Sequence, residues 1–247
     1  MRVYHTSDLH DRRGFVAPLR RLREELPGLL FDCGDSLRGS QTVYFRNEPI
    51  VDELAAAGYD GQAIGNREFH YLFGAMQARA SRVRHRLVCS NLLDTKHRPL
   101  PFARSLRFEH RRDAGAPLEI HVLGLLVMQY PTGSGWERLF GWRFLQPWDA
   151  VDHYVATITD DAFLIVLSHL GLSLDRHLAQ RVPRIDLILG GHSHDTLAAP
   201  EFVAGVPIVH AGPYGKYVSR TQFAESRGRD GRFPLVGFEL LPLLPAA

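Results

Sequence analysis

Short apolar runs alternate with amphipathic segments along the whole chain. The runs 2–6, 29–33, 61–64, 86–89, 119–127, 163–168, 186–189 and 206–210 have the length and β-branched content of strands. Between them lie helical patterns. Residues 15–26 carry Phe15, Leu19, Leu22 and Leu26 on one face. Residues 49–57 open on Pro49 and stop before Gly58, the usual helix punctuation. Residues 71–84, 148–159 and 172–181 are further helices. Strand–helix alternation predicts an α/β fold. Two hairpins make its sheets mixed: 102–108 with 119–127 across a polar turn at 109–117, and 221–225 with 236–241. The stretch 130–141 is rich in glycine and aromatics and reads as a surface excursion or lid.

No linker or repeat divides the chain, so we expect one domain over residues 1–247. A hydrophobic share of 45% and a charged share of 23% are ordinary for a globular protein. The net charge of +2 is too small to argue for nucleic acid. Only Lys96 and Lys216 are lysines, so 27 of the 29 basic residues are arginines. Arginine suits bidentate phosphate contacts. Cys33 and Cys89 make no disulfide framework, and we read Cys33 as core. The first residues lack a basic stretch followed by an apolar one, and no apolar run approaches about 18 residues. The expectation is a cytoplasmic protein with no membrane span.

The chemistry sits where strands stop. One run ends in Ser7-Asp8-Leu9-His10, the next in Asp32-Cys33-Gly34-Asp35, the third in Gly65-Asn66-Arg67-Glu68. Two more end in Ser168-His169 and in Gly190-Gly191-His192-Ser193-His194. Open α/β sheets bind ligands beyond the carboxyl ends of their strands. Asp8, His10, Asp35, Asn66, His169, His192 and His194 therefore form a metal inventory of imidazole and oxygen donors. Seven donors exceed one tetrahedral site and suit two cations that share a carboxylate. Two cations about 3.5–4 Å apart are a device for hydrolysing phosphate esters. Asp186 lies inside an apolar run and reads as a structural, hydrogen-bonded carboxylate.

Taken together, DLH, GD, GN-x-E, SH and GGHSH resemble the signature of the calcineurin-like metallophosphoesterases. The flanking text GYDGQAIGNREF, SNLLD, VLSHLG, IDLILGGHSH and HAGPYGKYV looks most like the catalytic domain of the 5′-nucleotidase/UDP-sugar hydrolase branch. The resemblance runs over residues 2–241. It implies a four-layer αββα sandwich of two mixed β-sheets. It makes Asp8, His10, Asp35 and His194 ligands of one metal. Asp35, Asn66, His169 and His192 would hold the other, with Asp35 bridging, and Glu68 would be a supporting acid. The implied cofactors are two divalent ions, manganese first, with zinc or iron as alternatives. The implied reaction is in-line attack by a metal-bridging hydroxide on a small phosphorylated substrate, nucleotides among the candidates.

The sequence departs from the family in two places. Family members carry His where this chain has Arg67, and Asp where it has His70. Asn66, Arg67 and His70 are thus the candidate catalytic group, and Arg67, Arg38 and Arg12, with Arg13, the candidate anion contacts. An arginine does not give up its proton near neutral pH. Three readings stay open. Arg67 is an electrophilic clamp, with His70 or a water giving the proton. Or the site takes activated esters or anhydrides that need no acid. Or the protein is a metal-binding pseudoenzyme with a regulatory duty. The second departure is length. The two-domain nucleotidases add a C-terminal domain whose aromatics stack the base, and this chain stops at Ala247, so we expect specificity to come from local loops or a partner. Tyr130, Trp136, Phe140 and Trp142 are candidates for a stacking lid, with core packing as their other reading.

Overall fold

The computed structural model describes residues 1–112 and 115–244. In chain order the elements are β1 (Arg2–Thr6), α1 (Val16–Glu25), β2 (Leu29–Asp32), α2 (Ile50–Ala57), β3 (Gly61–Ala63), α3 (Phe73–Ala80), β4 (Leu87–Val88) and β5 (Leu92–Asp94). There follow β6 (Leu106–His110), β7 (Leu118–Leu126), α4 (Gly135–Phe140), β8 (Trp142–Phe144), α5 (Pro147–Val155), β9 (Phe163–His169) and α6 (Leu172–Arg181). The last are β10 (Leu187–Gly190), β11 (Glu201–Val203), β12 (Val206–His210), β13 (Tyr217–Phe223) and β14 (Leu235–Pro242).

Two six-stranded sheets result, in the orders β14-β13-β1-β2-β3-β4 and β11-β12-β10-β9-β7-β6. Each has a parallel run of four strands; the first carries its antiparallel strands on one side only, the second on both edges. In the first, β1 to β4 run parallel while β13 and β14 are antiparallel. In the second, β12, β10, β9 and β7 run parallel, flanked by antiparallel β11 and β6. Both expected hairpins form; the turn joining β6 to β7 includes residues 113–114, which lie outside the described residues. The sheets face each other across a core in which Val3, Phe31, Ala63 and Val88 meet Val122, Ile165, Leu167 and Leu189. Helices α1 and α2 cover the outer face of the first sheet through Leu19, Ile50 and Leu54. Helices α5 and α6 cover the second through Val151, Leu178 and Ala179. The αββα sandwich is thus the observed architecture. Parallel strands buried on both faces explain why their sequences read as continuous apolar runs.

Four elements escape the hydropathy pattern. Strands β5, β8 and β11 have three residues each, too short to show a period. Helix α4 begins at Ser134, whose hydroxyl accepts from Glu137 N; Ser-x-x-Glu is a capping signature and was readable. Helix α3 is also shorter than its apolar pattern. Tyr71 and Leu72 stay extended because the Tyr71 amide donates to Gln41 O and the Trp142 indole donates to the carbonyls of His70 and Tyr71. Among the described residues no helix is long and apolar enough to cross a membrane.

Candidate metal centre

The parallel strands of both sheets deliver their carboxyl ends to one rim. Asp8 and His10 follow β1, Asp35 follows β2, and Asn66 follows β3. His169 closes β9, and His192 and His194 follow β10. Backbone bonds continue the pairing past the strands: Asp8 N donates to Gly34 O (2.9 Å), His10 N to Asp35 O (3.0 Å) and Gly191 N to Ser168 O (2.9 Å). Two contacts tie the sheets together at the rim. The Asp8 carboxylate accepts from His192 N, at 3.2 and 3.0 Å, and His169 Nδ1 lies 2.7 Å from Cys33 O.

The donor atoms crowd accordingly. Those of Asp8, His10 and His194 lie within 4.8 Å of one another, and so do those of Asp8, Asp35 and His169. His194 Nε2 is 3.6 Å from Asp8 Oδ1, and His169 Nε2 is 3.3 Å from Asp35 Oδ1. Asp8 is common to both groups, whereas the resemblance implies Asp35 as the shared carboxylate. Asn66 Nδ2 stands 3.5 Å from His192 Nδ1, so the remaining two donors sit together as well. All seven predicted ligands therefore lie along one rim.

The backbone is forced to do this. Asp8, His10, Asp35, His192 and His194 all have φ between 49° and 74°. Left-handed backbone is unfavourable for residues with a Cβ and costs roughly 1 kcal/mol or more apiece. It persists where surrounding bonds over-determine it and aims side chains that an extended strand would point into the core. Glycines make room. A Cβ on Gly65 would lie 2.4 Å from Asp35 N, and one on Gly191 would lie 2.9 Å from Asp8 Oδ2.

Electrostatics point the same way. Burial opposes charging His169, but the Asp35 carboxylate wins and lifts it to about 9. Burial would raise Asp35, yet His169 beside it holds it at about 2. His10 is depressed to about 4 by burial and by the Arg67 charge. The His169 ring is fully buried, and its Nε2 has no hydrogen-bond partner among the described residues. His10 Nε2 and His194 Nε2 are 2.9 Å apart. One of them must carry a proton for the other to accept, or both must turn lone pairs to a cation. A buried imidazole held charged by neighbouring carboxylates is a place where a divalent cation can take over from the proton.

No protein-family model matches the chain. It is 32% identical over 235 residues to the uncharacterized metallophosphoesterase YunD of Bacillus subtilis, covering 88% of this chain and 48% of that protein. It is 25% identical over 269 residues to the 5′-nucleotidase of Diplobatis ommata, covering 92% and 46%. The calcineurin-like phosphoesterase YfkN of Bacillus subtilis superposes with a TM-score of 0.74 at 17% identity, over 98% of this chain and 90% of that one. The chain is homologous to proteins named metallophosphoesterase and 5′-nucleotidase, and its fold is that of a calcineurin-like phosphoesterase. It spans about half the length of the curated relatives it matches.

Within this metallophosphoesterase fold the GNREFH loop divides its labour. Glu68 is buried and accepts four backbone N–H groups, from Asp35 (2.7 Å), Ser36 (3.0 Å), Leu37 (3.2 Å) and Gly65 (3.0 Å). It thereby fixes the turn that presents Asp35 to the turn that presents Asn66. Arg67 N donates to Asp35 Oδ1 at 2.8 Å. The Arg67 guanidinium is half-buried; its Nη1 donates to Leu37 O and Arg38 O, and its Nε lies 3.9 Å from Asp35 Oδ2. Its Nη2 has no partner among the described residues and stays available. Phe69 anchors the loop among Tyr71, Trp142 and Phe144.

His70 makes no hydrogen bond or ion pair to any of the seven donors among the described residues. It is buried, its Nδ1 accepts from Leu72 N (3.0 Å), and no hydrogen bond joins it to Arg67 among the described residues. Burial and the Arg79 charge push its pKa down. The side chains of Arg12 and Arg38 make no hydrogen bond or ion pair among the described residues; Arg38 lies over the Phe45 ring at 4.4 Å. Asp186 is structural, accepting from Leu164 N, Arg184 and Arg227. Cys33 is fully buried.

Three supports have no sequence signature. Gln129 donates to Asn66 Oδ1 (2.9 Å) and accepts from Gln41 (3.1 Å), which orients the amide. Arg79, buried on α3, donates to the carbonyls of Phe69, Ser40 and Val43, stapling the GNREFH loop to its neighbour. Asp175 on α6 accepts from Ser168 and pairs with His210 at 2.8 Å beneath Gly190, the first glycine of GGHSH. None of the three lies in a polar motif at a strand end.

Proposed function

We propose that this chain is one catalytic domain that hydrolyses small phosphate esters with two divalent cations. The observation that carries the reading is the meeting of imidazole and carboxylate donors of Asp8, His10, Asp35, His169 and His194, with the Asn66–His192 pair, at five strand ends, around a buried His169 Nε2 that faces the Asp35 carboxylate. The names of the relatives, metallophosphoesterase and 5′-nucleotidase, agree with it. Asp8, His10, Asp35 and His194 would hold one cation, and Asp35, Asn66, His169 and His192 the other. When bound, such a pair supplies Lewis acidity to phosphoryl oxygens and makes hydroxide accessible near neutral pH. Imidazole mixed with carboxylate oxygen suits manganese, and zinc or iron as alternatives.

The protein's own part is placement and charge. Glu68 holds the Asp35 and Asn66 turns in register. Asp8 is positioned by His192 N, and His169 by Cys33 O. Arg67 presents a fixed positive fork beside Asp35, where it neutralises charge that develops on the phosphoryl oxygens as water oxygen bonds to phosphorus and the ester oxygen departs. It gives no proton to that oxygen. His70, turned to Leu72, gives none directly either. The leaving oxygen therefore takes its proton from water or departs as a stabilised anion, so esters of acidic alcohols and phenols are the best substrates.

The test is a panel of aryl phosphates, aryl phosphodiesters and nucleotides with manganese-loaded protein. Turnover that disappears in Asp35→Asn is the expected result. A loaded protein that turns over none of them overturns the reading.

A further inference from the structure

Next to the metal cluster lies a cavity of about 510 Å³, lined by Thr42, Tyr71, Gln129, Tyr130, Trp136 and Phe140. That volume is in the range of small-molecule sites. Its aromatic wall is ordered. Trp136 stacks on Phe140 at 5.9 Å and 8°, Phe140 on Tyr71 at 4.9 Å and 26°, and Tyr71 on Tyr130 at 6.2 Å and 21°. The column ends in an open face, because Trp136 is 57% exposed while Tyr130 is buried. Trp142, by contrast, is fully buried and serves as a beam: its indole donates to His70 O and Tyr71 O. The hydroxyl of Tyr130 donates back to Trp142 O (2.7 Å), and Thr132 Oγ1 donates to Phe144 O (2.5 Å). The wall is thus braced by polar bonds and has only limited freedom to collapse into the cavity.

Gln129 joins this cavity to the chemistry. Its amide lines the cavity and donates to Asn66 Oδ1 at 2.9 Å, so the cavity begins one side chain away from a metal-ligand candidate. A group bound there would sit within one side chain of a phosphoryl group held at the cluster. Thr42 and Gln129 offer a hydroxyl and an amide to a ring's polar edge.

We propose that this cavity receives a flat aromatic ring carried by the leaving group of the phosphate ester. The inference rests on the phosphoester-hydrolase reading and deepens it to a substrate class. Two independent features converge on it. Parallel aromatic faces with one exposed end prefer a planar π-system to an aliphatic chain. And an arginine that cannot donate a proton suits a leaving group stabilised as its own anion, as a phenolate is. The ring is bonded to the ester oxygen directly, as in an aryl phosphate, so that the departing oxygen is a phenolate.

The experiment uses the manganese-loaded full chain and its Trp136→Ala variant. The exposure of Trp136 makes that substitution tolerable to the fold, and circular dichroism checks it. kcat/KM is measured for phenyl phosphate, AMP and glycerol 3-phosphate. The expected result is a fall of about tenfold in the ratio of a ring-bearing ester to glycerol 3-phosphate in W136A, the weight of one stacked ring. The fall is expected for phenyl phosphate; a fall confined to AMP, whose departing oxygen is an alkoxide, overturns the proposal. An unchanged ratio for both overturns the proposal. Sedimentation is run alongside: a dimer that W136A converts to monomers, with the ratio unmoved, makes the surface a contact between copies and also overturns it. Adenosine and phenol are titrated calorimetrically as phosphate-free probes. Binding that W136A weakens about tenfold supports the ring site even where no ester turns over, in which case the hydrolase reading alone falls. No binding of either probe to wild type, with no ring preference in turnover, overturns the ring site.

Discussion

The metal side of this site is built from loops, the aromatic side from loop residues and the short helix α4, and by opposite means. On the metal side, five of seven ligand candidates sit at left-handed φ directly after a parallel strand, and backbone bonds between successive loops hold them there. On the aromatic side, no wall residue has a left-handed φ except glycines at the ends of the α4 segment, Gly133 and Gly141. There the shape comes from side chains at positions 71, 130, 136 and 140, stacked on one another and braced by Trp142. Backbone strain tolerates little substitution because a neighbouring loop must move with it. Side-chain stacking tolerates exchange of one ring for another. The metal side is therefore the constant half of the machine and the aromatic side the adjustable half.

Substitutions that break the first half should have the largest effects. Asp35→Asn removes a charge that both His169 and the Arg67 amide face, and is expected to abolish turnover and to lower manganese content measured by plasma mass spectrometry; full metal with unimpaired turnover would refute its role. Glu68→Ala leaves four buried N–H groups without their acceptor. At about 1 kcal/mol each the loss is roughly 4 kcal/mol, a fall of roughly 10 °C in Tm by scanning calorimetry. A Tm unchanged by Glu68→Ala would mean that the loop is held by something else.

The joint between the halves is Gln129. Gln129→Ala is expected to weaken manganese binding by about tenfold or more in calorimetric titration, because a ligand that loses its orienting partner typically loses that much. It should leave Tm nearly in place, which separates it from Glu68→Ala. The smallest change sharpens the aromatic side. Arg67→His restores a titratable group and is expected to raise kcat for alkyl leaving groups by about tenfold while changing aryl esters little, so that the dependence of rate on leaving-group pKa flattens. An unchanged slope would count against Arg67 as the clamp beside the departing oxygen.

Much of the metal side is legible in the chain because its signals are local. A strand ends, a glycine follows, and Asp, Asn or His appears within a few residues; Gly-Asp, Gly-Asn and Gly-Gly-His-Ser-His carry both the turn and the ligand. Eight strands, five helices and two hairpins are legible for the same reason, since their apolar runs and punctuation are carried by neighbours. The aromatic side is illegible because its order is spatial. Tyr71 reads as the start of a helix until Gln41 and Trp142 claim its backbone groups. Gln129 is one amide in Val-Met-Gln-Tyr until the fold sets it beside Asn66. His70 shows the converse: its place in the motif suggests chemistry, and packing against Leu72 takes it out of reach.

The sequence by itself determined the α/β alternation, the mixed character of the sheets and the seven donor candidates at strand ends, because apolar runs and the turns after strands are written in consecutive residues. Only the tertiary structure decided that Asp8 stands at the junction of the donor groups, that Arg67 rather than His70 faces the carboxylates, and that four rings from three segments form a stacked wall one amide away from Asn66. Those are relations between residues up to about 186 positions apart, set by how two sheets close on each other, and no local pattern encodes them.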